Sequence, residues 1–158
     1  VLIAFFAVNL GFITYIVDLE QLVIADPHHF AYPLWPPRPL VDLVHWWGDH
    51  FDPLQIARPP WWRATIWLDV LLFGPFYAVA IHALVKGKEW IAVPAIFWAG
   101  VMFANVSIIV FEELVGPFAS PAPGTVLMAN LAWWALPLLV TWRFARPHPF
   151  TREAEPAA

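Results

Sequence analysis

Apolar residues gather into four long runs along the chain, separated by stretches rich in proline, histidine and charge. The runs extend from Val1 to about Ala25, from Trp62 to Val85, from Trp90 to Phe111 and from Thr125 to Phe144. Each is close to the approximately 20 residues a helix needs to cross the hydrocarbon core of a bilayer. Backbone groups in that core must be bonded within their own segment. The pattern therefore predicts an all-α integral membrane protein, a four-transmembrane-helix bundle, rather than a soluble bundle of greasy helices. Pro75, Pro94 and Pro137 fall in or near these runs, which is tolerated where neighbouring helices satisfy the freed carbonyls. The first run opens directly on Val1 and is read as cut short at its start.

The connections set the topology. Arg58, Pro59 and Pro60 form a stop before the second run, and "KGKE" makes a short turn between the second and third. Residues 1–147 are read as one four-helix membrane domain and 148–158 as a disordered tail. Four spans put both termini on one side, together with Lys86, Lys88, Arg143, Arg146 and Arg152, against Arg38, Arg58 and Arg63 opposite. The positive-inside rule then predicts that both ends face the cytoplasm. The organelle would be the endoplasmic reticulum in a eukaryote, and the plasma membrane would be the location in a bacterium.

The loop from Asp26 to Trp61 lies on the far side and is too long for a turn. Within "PLVDLVHWWGDHFDPL", Leu40, Leu43, Val44 and Trp47 recur at helical spacing, which predicts a short helix at the membrane interface. Trp46, Trp47, Trp61 and Trp62 suit the aromatic belt at the headgroups. This helix could cap a cavity between the spans or act as a plain interfacial anchor.

Composition narrows the function. Charged residues make up 13% of the chain, against roughly 25% in soluble domains, so lipid takes the place of much of the solvent. Eight Lys and Arg at a net charge of −4 cannot neutralise a run of phosphates, and no nucleic-acid partner is expected. There is no Cys, hence no disulfide or thiolate metal site. The loop holds His28, His29, His45 and His50 with Asp26, Asp42, Asp49 and Asp52, but their spacing matches no tight ligand pattern. No metal or cofactor is expected, and an i,i+4 hydrogen bond between His45 and Asp49 is the simpler use.

Polar residues inside the spans carry the chemistry. Asp18 lies seven residues before Ala25 and Asp69 seven residues after Trp62, about 10 Å inside each helix end at the α-helical rise. Asn105 on the third span and Asn130 on the fourth fall at a similar depth in the same half of the membrane. Intramembrane carboxyl groups are costly and point to function, and two facing ones are expected to share a proton. Such a pair could protonate an alkene, stabilise positive charge or pair with an amine. Trp133 and Trp134 could stack on a ligand. Thr14, one turn before Asp18, is a candidate ligand-binding residue, with a bond to its own helix backbone as the simpler use. Glu112 and Glu113 end the third span, and Glu112 could reach the pocket mouth. A purely structural polar seam is the competing reading.

These pieces resemble the EXPERA-domain family, which comprises emopamil-binding protein, a sterol Δ8–Δ7 isomerase, and the sigma-2 receptor. "FITYIVDLE" is similar to the family's first acidic segment, with Asp18 at the acidic position. "FDPLQIARPPWW" resembles the receptor's loop, and "WLDVLLFGPFYAVAIHALVKGKEWIAVPAI" follows the second helix and turn. "WAGVMFANVSIIVFEE" is similar to the isomerase's third helix, and "NLAWWALP" matches its Asn-x-x-Trp-x-x-x-Pro pattern through Asn130, Trp133 and Pro137. The isomerase pattern has His where this chain has Thr14, and Glu where it has Ile66. In both respects the chain is closer to the receptor, whose carboxylates align with Asp18 and Asp69.

The resemblance implies an intramembrane pocket for a sterol, a terpenoid or a cationic amphiphile, with no cofactor. Asp18 and Asp69 would form its charged centre, Asn105 and Asn130 would orient them, and Trp133 would pack on the ligand. The alternatives are a cofactor-independent isomerase or cyclase working through Asp18 and Asp69, and a structural or trafficking partner of another membrane protein. A homodimer fits the same implication.

Overall fold

The computed structural model describes residues 1–150. Four long helices dominate it: α1 (Leu2–Val23), α4 (Pro60–Val85), α5 (Glu89–Val115) and α6 (Pro123–Phe144), each long and apolar enough to span a membrane. Two short helices occupy the long loop, α2 (Arg38–His50) and α3 (Pro53–Ala57). No strand occurs among the described residues. The protein is a multi-pass integral membrane protein with an all-α four-helix architecture.

Proline sets several boundaries. Pro39, Pro53, Pro60 and Pro123 sit in the first turns of α2, α3, α4 and α6, where a missing N–H breaks no helical bond. Gly87 takes a left-handed conformation, φ 60°, in the turn between α4 and α5. Arg58 has φ 45° at the end of α3, an uncommon position for a residue with a Cβ. That conformation swings its side chain back under the loop.

α1 and α4 pack antiparallel along their whole length. The start of α1 meets Gly74–Val85, and its end meets Pro60–Leu68. α5 and α6 form a second antiparallel pair in extensive contact. Near the chain termini the interior is a block of rings. Phe6 stacks on Tyr77 at 5.7 Å between ring centroids and meets Trp98 edge-on at 5.2 Å, and Phe76 stacks on Trp98 at 5.6 Å. Ala80, Ala83, Ala95 and Ala99 are buried beside them. Small residues of this kind let membrane helices approach closely. α5 continues past Phe111 to Val115, so Glu112 and Glu113 belong to its last turn rather than to a wet end.

The loop helix predicted from the spacing of Leu40, Leu43, Val44 and Trp47 is present as α2. It buries Val41, Val44 and Gly48 and lies against the middle of α1. Trp46 faces outward, as a belt residue does, but Trp62 is buried and donates its indole N–H to Gln21 Oε1 at 2.6 Å. His148 and Phe150 lie against Glu89 and Phe144 respectively. The rest of the expected tail, 151–158, lies outside the described residues.

Candidate functional site

Both intramembrane aspartates sit where a helix widens. α1 adopts π-type turns over Asn9–Asp18 and α4 over Asp69–Phe73. Such turns add a residue per repeat, rotate the side chains that follow and recur at functional sites. Asp18 closes the first stretch and Asp69 opens the second. The two carboxyl groups meet across the α1–α4 interface within hydrogen-bonding reach, with relative exposures of 9% and 7%. A bond between two carboxyl groups requires that one of them hold a proton.

The supports lie on the Asp69 side. Thr14 Oγ1 donates to Asp69 Oδ2 at 2.5 Å, and Tyr77 donates from its hydroxyl to Oδ1 at 3.2 Å. Thr14 is thus a partner of the pair across the interface, where the sequence suggested a bond to its own helix. A side chain at Gly74 would force this arrangement apart, since its Cβ would stand 2.9 Å from Thr14 Cγ2 and 2.7 Å from the Tyr15 hydroxyl.

The pair opens into a cavity of about 320 Å³ in the loop-side half of the bundle, within the range of small-molecule sites. Asp18, Asp69, Asn105 and Asn130, the four polar residues placed at one depth by counting, all line it. Met102, Val106 and Ile109 supply much of the apolar wall, and Leu43, Val44 and Trp47 of α2 close it from the loop. α2 is therefore a cap over the cavity. Trp133 also lines the wall, its indole N–H held by Asn9 Oδ1 at 2.8 Å, while Asn9 Nδ2 donates to the Phe5 carbonyl.

Three expectations are corrected by position. Trp134 is absent from the cavity wall and donates instead to Ser107 Oγ at 3.0 Å. Glu112 accepts from the Phe118 amide outside the cavity, and the neighbouring Glu113 is the lining residue. One position along a helix turns a side chain by about 100°, and the span alone does not show which of the two faces inward. Asn130 orients Glu113 rather than the aspartates, with its Nδ2 3.1 Å from Glu113 Oε2.

A buried ionic cluster fastens the loop above the cavity. Arg58 Nη2 donates to both oxygens of Glu20 at 2.8 and 3.0 Å, Arg58 Nη1 bonds the Ile24 carbonyl, and Nε bonds the Gln55 carbonyl at 2.8 Å. His45 Nε2 meets Glu20 Oε1 at 2.8 Å, replacing the expected pairing with Asp49. The other loop histidines make local contacts: His29 with Asp26, and His50 with the Trp46 carbonyl. Sequence reasoning missed Glu20, although a carboxylate two residues beyond Asp18 at the end of a span was a usable signal. It also missed Asp52, which is 3% exposed and lines the cavity beside Gln55. Burial pushes the Asp52 carboxyl up to about 6.

Comparisons with known proteins identify the family of the chain. The EBP family model, described as EXPERA (EXPanded EBP superfamily), matches residues 39–144. The sigma intracellular receptor 2 of Xenopus tropicalis is 32% identical over 108 residues, which are 67% of this chain and 58% of that protein. The Homo sapiens and Macaca fascicularis proteins of that name are each 32% identical over 60 residues, 37% of this chain and 34% of theirs. The chain thus spans between one third and three fifths of the length of these relatives. The match runs from the cap helix through all of α4, α5 and α6, and on it the chain belongs to the EXPERA family.

Proposed function

We propose that this protein binds a hydrophobic ligand inside the membrane, a sterol, terpenoid or similar molecule carrying a cationic or hydrogen-bonding group, which docks against Asp18 and Asp69. The observation that carries the reading is the facing carboxyl pair at the wall of an otherwise mostly apolar, capped cavity. Structural glue does not need acids, since amides hold helices together without the cost of charge. The resemblance of the chain to sigma intracellular receptor 2 of Xenopus tropicalis supports a receptor-like role. In such a site the ionised member of the pair meets the ligand's polar group, Asn105 and Asn130 border the wall, and Trp133 offers a ring face held in place by Asn9.

A second reading gives the same site acid–base chemistry, and one observation favours it. Thr14 and Tyr77 both donate to Asp69, which stabilises its charge and leaves the shared proton on the Asp18 side. Asp18 would then protonate an alkene or epoxide, Trp133 would stabilise the cation, and Asp69 would take a proton back. Both termini lie on the cytoplasmic side in this proposal, with Lys86 and Lys88. The lipid-exposed face of α6, with Leu131, Leu138 and Trp142, is where a second copy would pack.

The test is mass spectrometry of lipids retained by purified protein and incubated with it, comparing wild type with Asp18→Asn and Asp69→Asn. A ligand retained by wild type and lost from both folded variants supports the binding reading. A new product made only by wild type supports the enzyme. Unchanged lipid retention in both variants rejects the site.

A further inference from the structure

Between α1 and α2 the chain turns back along the outside of the bundle. Trp35 donates its indole N–H to the Tyr15 carbonyl at 2.7 Å. Tyr15 lies eight residues inside the loop-side end of α1, about 12 Å along the helix axis. The bond therefore holds this strap, residues 30–37, against the side of a transmembrane helix and below its end. None of these residues lines the cavity, and the Trp35 side of the contact is half exposed.

The strap turns apolar groups outward. Leu34 is fully exposed, with Tyr32 and Trp35 beside it at 43% and 50%. Irregular backbone is unfavourable next to lipid because its N–H groups find no partner, and proline has no N–H to leave unpaired. Pro33, Pro36, Pro37 and Pro39 make up four of the seven residues from 33 to 39. Polar groups at the margin satisfy one another. The Tyr32 hydroxyl donates to Asp42 Oδ1 at 2.7 Å, Arg38 Nε lies 3.7 Å from Asp42 Oδ2, and the Arg38 guanidinium stands 4.7 Å over the Tyr32 ring.

We infer that residues 32–37 form a knuckle inserted into the bilayer at the boundary of headgroups and acyl chains, with Leu34 at its tip and Trp35 as its pin. Its partner is the acyl region of the surrounding phospholipid on the loop side of the membrane. α2 begins directly after the knuckle, so the cap is tethered to lipid at its first turn and to α1 through Glu20 and His45 further along. The inference stands apart from the binding reading. A loop in water accounts for single exposed apolar side chains, which are ordinary on protein surfaces. It does not account for a leucine and two aromatics grouped on a proline-rich strap that is bonded to the flank of a membrane span.

The chain has no cysteine, so Leu34→Cys and Asp49→Cys each create a single labelling site, the second on the exposed face of α2 as the aqueous reference. Each variant carries a nitroxide in phosphatidylcholine nanodiscs, and its collision rates with oxygen and with a water-soluble nickel chelate are compared. For a segment at the headgroup–acyl boundary, the oxygen-to-nickel ratio at position 34 should exceed that at position 49 by about tenfold. Adding Trp35→Phe to Leu34→Cys removes the pin and keeps an apolar ring, and should lower the ratio by about twofold or more as the strap lifts. Bimane on Leu34→Cys should be quenched by brominated acyl chains, and this readout decides where a nitroxide disturbs the strap. Equal ratios at the two positions with no quenching would place the strap in water and overturn the inference. Low collision rates with both reagents and no quenching would mean that protein, such as a second copy, covers the tip, which overturns it equally. A ratio unchanged by Trp35→Phe overturns the role of the pin.

Discussion

The two halves of the bundle are built from the same four helices and solve opposite problems. Near the termini, Phe6, Phe76, Tyr77 and Trp98 fill the interior with rings in contact, backed by buried alanines. Toward the loop, the interior is a cavity bordered by carboxyl groups and amides and covered by α2. Lipid tails are as apolar as the helix interior, so hydrophobic transfer does not drive helices together, and close packing and hydrogen bonds must. The filled half relies on packing. The hollow half relies on polar bonds that cross between elements: Thr14 to Asp69, Trp62 to Gln21, Asn130 to Glu113 and Arg58 to Glu20. A membrane protein can therefore keep an open cavity provided that one half of it is solid and the walls of the other are cross-linked.

The largest expected effect lies at the cross-link that holds the cap. Glu20→Ala leaves Arg58 buried without its carboxylate, and breaking one side of a buried pair costs about 3–5 kcal/mol. Thermal unfolding in detergent should show that loss, and limited proteolysis should show cleavage in the loop before the spans. A stable variant with an intact loop would mean that the cap does not depend on this pair.

The next effect separates the halves. Phe6→Ala empties part of the solid block and should cost about 3–4 kcal/mol, with the carboxyl pair untouched. Asp69→Asn keeps the shape but leaves one oxygen to accept from Thr14 and Tyr77, so its effect on stability should be about 1 kcal/mol, while ligand retention is lost. Equal stability losses in the two variants would erase the distinction between a packed half and a functional half.

A third effect depends on pH. The Asp52 carboxyl is raised from 3.8 to about 6 by burial, so the folded state holds this proton more tightly than the unfolded chain. Its stabilising contribution is complete below the unfolded value and is lost as pH rises from about 4 through about 6, by about 3 kcal/mol in all. Unfolding midpoints measured across that window should fall with rising pH for wild type, and Asp52→Asn should remove this component of the slope. A smaller effect than that of Asp52 is expected of Thr14→Val, which removes one donor to Asp69 and should lower stability by about 1–2 kcal/mol. Ligand affinity should fall with it, read by titration in nanodiscs. An unchanged affinity would place Thr14 outside the site's working parts.

Much of this molecule is legible in one dimension because lipid imposes a simple rule on length and polarity. The four spans and the cap helix follow from counting residues, since the helical rise is constant. Azimuth does not follow so easily. The π-type turns in α1 and α4 shift the angular register, which is why Thr14 reaches Asp69 across the interface. Likewise Glu113, and not Glu112, faces inward. Charge in the loop was also opaque, because Arg58 finds Glu20 only through a left-handed backbone at the end of α3.

By itself the sequence determined that the chain lives in a membrane, how often it crosses and which polar residues lie within the spans, because hydropathy and helix rise are local properties. Only the tertiary structure decided which of those residues face one another, what fastens the cap and which of the two acids ending α5 lines the cavity. Those outcomes depend on rotation about helix axes and on contacts between distant segments, and neither is encoded in the spacing of residues along a single helix.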